Sequence, residues 1–176
     1  MNVLEIIQRA TNAIGIPEPS AAVASTDNGI IQLVELFNQA GRSLASRFAW
    51  KSITREGSFG TVATESQGSL TTIIGASHSL RYIVNDTIWN RETKLPICGP
   101  VSSRTWQGYK ALDVTGPYTE YRILGNELLF YPAPTAGQAC WFEYVDKMWL
   151  TNAAATTWYA SANADTDLVL LDDELL

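Results

Sequence analysis

DNGIIQLVELFNQAGRSLASRFAWKSITREGSFGTVAT, residues 27–64, changes its period partway along, and that change decides the fold class. Up to Phe48 the apolar residues Ile30, Leu33, Val34, Phe37, Ala40, Gly41, Leu44, Ala45 and Phe48 recur at three-to-four spacing. This is the stripe of an amphipathic helix held over about five turns, with its start signal at Asp27 or Asn28. Ala40 and Gly41 fall on the buried side, where small residues let another backbone come close. After Trp50 the pattern turns to β-branched residues, alternation and scattered glycines, which predicts a strand or two. A strong helix followed by short strands reads as α+β.

The flanking sequence extends both halves. Upstream, Val3, Ile6, Ile7, Ala10 and Ile14 mark a first helix, with Glu5, Gln8, Arg9 and Asn12 on its other side and Gly15 and Pro17 as its stop. The two helices predict an N-terminal helical hairpin. Downstream, SLTTIIG predicts a short helix capped by Ser69, and LRYIVNDTIWN a strand pair or a bent strand. SSRTWQGYKAL, after Gly99-Pro100, predicts a helix capped by Ser102 or Ser103. In YRILGNELLFYP, Gly125-Asn126 stands between two apolar runs, a two-residue hairpin of the Gly-X kind. ACWFEYVDKMWL reads as a third strand, TNAAATTWYASANA (151–164) as an exposed loop, and DTDLVLLDDELL as the start of a C-terminal helix. The expected division is a helical part (1–50), a β-rich middle of short antiparallel strands with short helices (51–150), and a loop with the start of a helix that returns to the N-terminal pair (151–176).

Composition bounds the function. The 176 residues are 46% hydrophobic and 17% charged, enough apolar material for a core. The formal charge of −6 argues against a protein that grips nucleic acid by neutralising phosphates. From Met148 onward there is no Lys or Arg, while Asp165, Asp167, Asp172, Asp173 and Glu174 are acidic, so the body is near neutral and the C-terminus acidic. No run approaches a membrane span, and MNVLEIIQR lacks the basic start of a signal peptide. Cys98 and Cys140, far apart, read as reduced, packed thiols of a cytosolic product.

Catalytic and metal motifs are sparse. The single histidine, His78, sits in the polar string GASHS and reads as a loop residue rather than a base. Asn163, Asp165, Asp167 and Glu174 fall in an EF-hand-like register, but Leu168 stands where the loop needs Gly. Those acids read instead as a polar loop with Asp165 or Asp167 capping the last helix. Neither a metal nor a cofactor is expected. Asp172, Asp173 and Glu174 are adjacent and fan around a helix instead of facing each other across a cleft. Six tryptophans are the unusual feature. About two thirds read as core, and Trp149 and Trp158, flanking the low-complexity loop, are expected to be exposed interface residues.

The strings NQAGRSLASRFAW (38–50), VNDTIWNRETKLPICGP (84–100), WQGYKAL (106–112), GPYTEYRILGNELLFYPAP (116–134) and FEYVDKMWL (142–150), with the closing LLDDELL, together resemble small phage head–tail connector (adaptor) proteins. The resemblance covers most of residues 28–176. It implies a virion protein without catalytic activity, made in the bacterial host cytoplasm and placed at the head–tail junction. Such adaptors form a ring, usually dodecameric, beneath the portal protein, extend the DNA channel and give the next tail component a docking face. By that analogy the N-terminal helices and the last helix form the ring body, and the β-rich middle projects outward or towards the tail. Members commonly continue past the LLDDELL segment with a longer helical part.

An acidic or neutral channel lets DNA pass without specific binding. Ring closure needs one patch to meet a different patch on the neighbour. Asp172, Asp173 and Glu174 against Arg42, Arg47, Lys51 and Arg55, spaced four to five apart late in helix two, are the expected pair. The lone subunit is expected to be a monomer, with loops 18–27 and 151–164 ordering on assembly. A tail-completion or terminator protein is the nearest alternative, separated by binding the tail tube instead of the portal. A cell-wall hydrolase would have to use Glu143 or Asp146, and a carbohydrate- or receptor-binding β-module conflicts with the strong N-terminal helices.

Overall fold

The structure, a computed structural model, describes residues 1–113, 115, 116 and 118–171. It is α+β. Along the chain run α1 (Val3–Ile14), α2 (Asn28–Arg47), β1 (Thr54–Gly60), β2 (Ser66–Ser69), α3 (Leu70–Ile74), β3 (Leu80–Ile83), β4 (Trp89–Asn90) and β5 (Leu95–Pro96). Then follow α4 (Ser103–Leu112), β6 (Glu120–Leu124), β7 (Glu127–Tyr131), β8 (Ala139–Asp146), β9 (Leu150–Thr151), β10 (Trp158–Tyr159) and β11 (Leu168–Val169). The chain divides into two compact units, one of residues 1–54 with 146–176, the other of residues 55–145.

In the first unit each helix begins on a side-chain cap. Asn2 Oδ1 accepts from the Glu5 amide at 2.8 Å while the Asn2 amide donates to Glu5 Oε2 at 2.9 Å, a reciprocal box that starts α1. Two more free amides at this end donate to the C-terminal segment, Val3 to the Asp167 carbonyl and Leu4 to that of Asp165. Gly15 closes α1 in the left-handed region, φ 75°. Asp27 caps α2 by accepting from Gly29 and Ile30. The inward line of α2 is Ile30, Phe37, Asn38, Gly41 and Ala45. Opposite it lies a small sheet in the order β10-β9-β11, with Trp149 immediately before β9.

The C-terminal helix does not form where the chain is described. Leu168–Val169 pairs with β9 as a strand, in register with Thr151 and Leu150. Pairing with β9 and the turn made by Asp167 together decide this. Asp167 Oδ2 accepts from the amides of Asn163 and Ala164, both 2.8 Å, so it turns back on the residues before it instead of capping those ahead. Residues 172–176, the remainder of the expected helix, lie outside the described residues. Segment 151–164 is also more than an exposed loop. Asn152 Oδ1 accepts from Thr156 and Thr157, and Trp158–Tyr159 returns to pair with Thr151 and Leu150. Loop 18–27 is likewise held in the single chain, because the Asp165 carboxylate accepts from the amides of Ala22 and Val23.

The second unit has a five-stranded sheet, β1-β8-β4-β5 with β3 also on β8, and a three-stranded sheet, β2-β7-β6. The hairpin expected at Gly125-Asn126 joins β6 to β7, with Gly125 at φ 63°, as the first position of such a turn requires. Both sheets contribute to one cluster that includes Ile83, Ile88, Tyr121, Leu128, Phe130, Cys140, Phe142 and Tyr144. Phe59 of β1 stands between Phe130 and Phe142, at 5.9 and 6.0 Å. Ser69 precedes α3, its hydroxyl held by the Asn126 side chain, and Ser102 caps α4 by accepting from Thr105. ACWFEYVDKMWL is not one strand: β8 ends at Asp146, and Leu150–Thr151 belongs to the other sheet.

Two substitutions test the first unit. A Cβ at Gly41 would run into the six-membered ring of Trp149, so Gly41→Ala is expected to cost about 1–3 kcal/mol of overpacking strain. An unchanged urea midpoint would show that the ring can move aside. Asp165→Ala strands two amides that are held by its carboxylate, a loss of about 1–3 kcal/mol. Limited proteolysis should then cut within 18–27 sooner than in the wild type.

Candidate functional site

The longest helix is not covered all round. α2 leaves Ile31 44% and Leu36 60% exposed. They flank a shallow groove lined also by Gln32, Glu35, Gln39 and Arg42. These residues are neighbours because helical spacing stacks i, i+4 and i+7 on one side, opposite Phe37, Gly41 and Ala45. Ile31 and Leu36, five residues apart, stand at the two sides of the groove, and Gln32, Glu35, Gln39 and Arg42 line the space between them, a mixture of apolar and polar groups of the kind found at protein contacts. At the end of α2, Phe48 is 62% exposed and meets Trp50 edge-on at 5.5 Å. Trp50 Nε1 donates to the Leu44 carbonyl at 2.9 Å, which fixes that aromatic end. Phe48 and Ile14 were expected on the inward stripes; Thr11 takes the inward place at the end of α1.

The expected interface residues scatter. Arg42 and Arg47 are exposed on α2, but the helix ends at Arg47. Five residues apart, they point about 140° away from each other around the axis. Lys51 is exposed in the turn after the helix, and Arg55 lies in β1 of the other unit, half-buried. The four therefore do not form one helical stripe. Asp172, Asp173 and Glu174 lie outside the described residues. Trp149 is fully buried instead of exposed: its ring fills the notch at Gly41, lies 5.2 Å from Phe37 and donates from Nε1 to the Ala160 carbonyl at 2.9 Å. Trp158 is half-buried on β10. Of the six tryptophans only Trp106 and Trp149 are core, fewer than expected.

The acids weighed as ligands or catalysts have other partners. Asp165 and Asp167 hold backbone amides, as described above. Among the described residues no group of three or more His, Cys, Asp or Glu is placed to hold a metal ion. Glu143 is exposed and Asp146 fully buried, three residues apart on β8, so alternation turns them to opposite faces. His78 is half-buried in the turn between α3 and β3.

One surface escaped the sequence reading. Trp89 and Trp141 are register partners across β4 and β8, and the guanidinium carbon of Arg91 lies 3.9 Å from the centre of the Trp141 ring. Arg91 also pairs with Glu56 of β1. The signal was present in the alternation of Trp89, Asn90 and Arg91, which sends the first and third to one face. What sequence could not supply was the neighbour strand.

No family model matches the chain, and no curated protein matches it either.

The two thiols differ. Cys140 is buried in the core cluster and burial pushes its thiol up to about 11, whereas Cys98 is exposed and not packed as expected. A thiol reagent at mildly alkaline pH should titrate one cysteine in the native protein and two in denaturant. The unfolded chain loses the Cys140 proton near 9 while the folded chain keeps it to about 11. Folding stability should therefore fall as pH rises through that window, and less steeply in Cys140→Ala, as urea midpoints across the range would reveal.

Proposed function

We propose that this chain is a structural virion protein, a head-to-tail connector (adaptor) that binds the portal ring, extends the DNA channel and offers a docking face to the tail. The observation that carries the reading is the outward face of α2. A helix this long, capped and packed on one side, leaves Ile31 and Leu36 bare on either side of a groove that Gln32, Glu35, Gln39 and Arg42 also line, and exposed apolar surface bordered by polar residues supports reading this face as an interaction surface. In the ring, α1 and α2 as a helical hairpin, with the returning C-terminal segment, form the body, and the α2 face meets the neighbouring subunit. The formal charge of −6 suits a lining along which DNA slides without specific binding. The ordered strings from 38 to 150 support the same reading, and no catalytic role is assigned to any residue.

Quantitative mass spectrometry of purified virions is the direct test. Copies of this chain and of the portal protein are expected near one to one, and absence from the particle would overturn the proposal. Leu36→Asp should leave the isolated chain folded, with stability within about 0.5 kcal/mol, yet remove it from assembled particles. Normal incorporation of that variant would exclude the α2 face as the ring contact.

A further inference from the structure

The outward face of the five-stranded sheet carries side chains that its core does not use. Alternation sends Gly57, Cys140, Phe142 and Asn90 inward and Glu56, Trp141, Glu143, Trp89 and Arg91 outward. Across the strand order β1-β8-β4 this lines up Glu56, then Trp141, then Trp89, with Arg91 lying over the Trp141 ring to reach Glu56. Trp89 is 45% exposed. Glu143 and Thr87 border the other side, and the whole forms a shallow cleft of about 240 Å³. The Thr87 hydroxyl donates to the Val84 carbonyl and accepts from the Glu143 amide, which fixes that edge.

Charge and shape together select the ligand. A cation is disfavoured because Arg91 already holds the cation–π position on Trp141. An anion would face Glu56 and Glu143 with one guanidinium that is already paired. What fits is a neutral molecule with a flat apolar face and hydroxyl groups around its rim. A sugar ring has that form: its axial C–H groups pack on the Trp89 indole while its rim hydroxyls donate to the Glu143 and Glu56 carboxylates and accept from Arg91. The mutual pairing of Arg91 and Glu56 holds these polar groups in place before the ligand arrives, which lowers the entropy cost of binding. We propose that the Trp89–Trp141 face is a binding site for a neutral saccharide chain. This site lies wholly within the second unit and needs neither a ring nor a portal, so it stands or falls apart from the connector reading.

The test is an NMR titration of the isotope-labelled full chain with cellotetraose, maltotetraose and tetra-N-acetylchitotetraose, following the six indole N–H signals. Saturable shifts confined to Trp89 and Trp141 are expected for at least one of them, with a Kd of roughly millimolar order. Trp89→Ala, a change at an exposed position, should weaken that binding about tenfold or more. Glu143→Gln should weaken it less, and Trp158→Ala should leave it unchanged. A folded protein whose Trp89 and Trp141 signals stay still with all three sugars overturns the proposal. So does sugar binding that survives Trp89→Ala. Movement of the same signals on adding purified portal or tail protein, with none on adding sugar, would make the face a protein contact and also overturn it.

Discussion

Trp149 seated against Gly41 is the contact on which the first unit depends. A tryptophan is the largest side chain, and it lies flush against a helix only where the helix has no Cβ. The ring is buried on Phe37, its indole nitrogen donates to the Ala160 carbonyl, and its backbone pairs with β10 and β11. One residue thereby holds α2, the turn after β10 and the C-terminal strand together. Asp165 and Asp167 complete the arrangement by satisfying amides that would otherwise be stranded at the loop after α1 and at the turn before β11. Asp165 and Asp167, which suggest a calcium loop in one dimension, are clasps of the fold in three.

The second unit rests on different physics. Its core is a set of aromatic and β-branched residues from two sheets, and its polar side chains serve mainly to set edges and turns. Asn90 shows the pattern: its Oδ1 accepts from Glu92 and Thr93 while its Nδ2 donates to Gln138, so a buried amide closes one turn and ties it to the approach to β8. Outside that core, the exposed Trp89, the half-buried Trp141 and Arg91 form an aromatic face held in place by its neighbours. The α2 groove is exposed surface too, but on a helix flank, where Gln32, Glu35, Gln39 and Arg42 stand between Ile31 and Leu36.

Much of the secondary structure was legible because it is written in local signals. The period of 3.6 named α1 and α2, Asp27 and Gly15 set ends that the structure keeps, and Gly125-Asn126 placed the β6–β7 turn. Ser102 marked the start of α4 for the same reason, a cap acting on an amide three residues on, whereas Ser69 stands at the start of α3 without its side chain capping any amide there. The reading failed where the deciding partner is distant. Leu168–Val169 has the composition of either a helix or a strand, and pairing with Leu150–Thr151 made it a strand. Trp149 looked like a loop-flanking aromatic because Gly41, more than a hundred residues earlier, is the notch that receives it. The basic series from Arg42 to Arg55 assumed a helix that stops at Arg47.

By itself the sequence determined the α+β class, the two N-terminal helices, the central hairpin, and an acidic charge balance. These follow from periodicity, capping and composition, all of which act over a few residues or over the whole chain at once. Only the tertiary structure decided which tryptophans are core, which acids are clasps, and that Arg91 lies across Trp141 to meet Glu56. Those outcomes depend on which strand lies beside which, and strand neighbours are chosen by the packing of the whole sheet rather than by any segment within it.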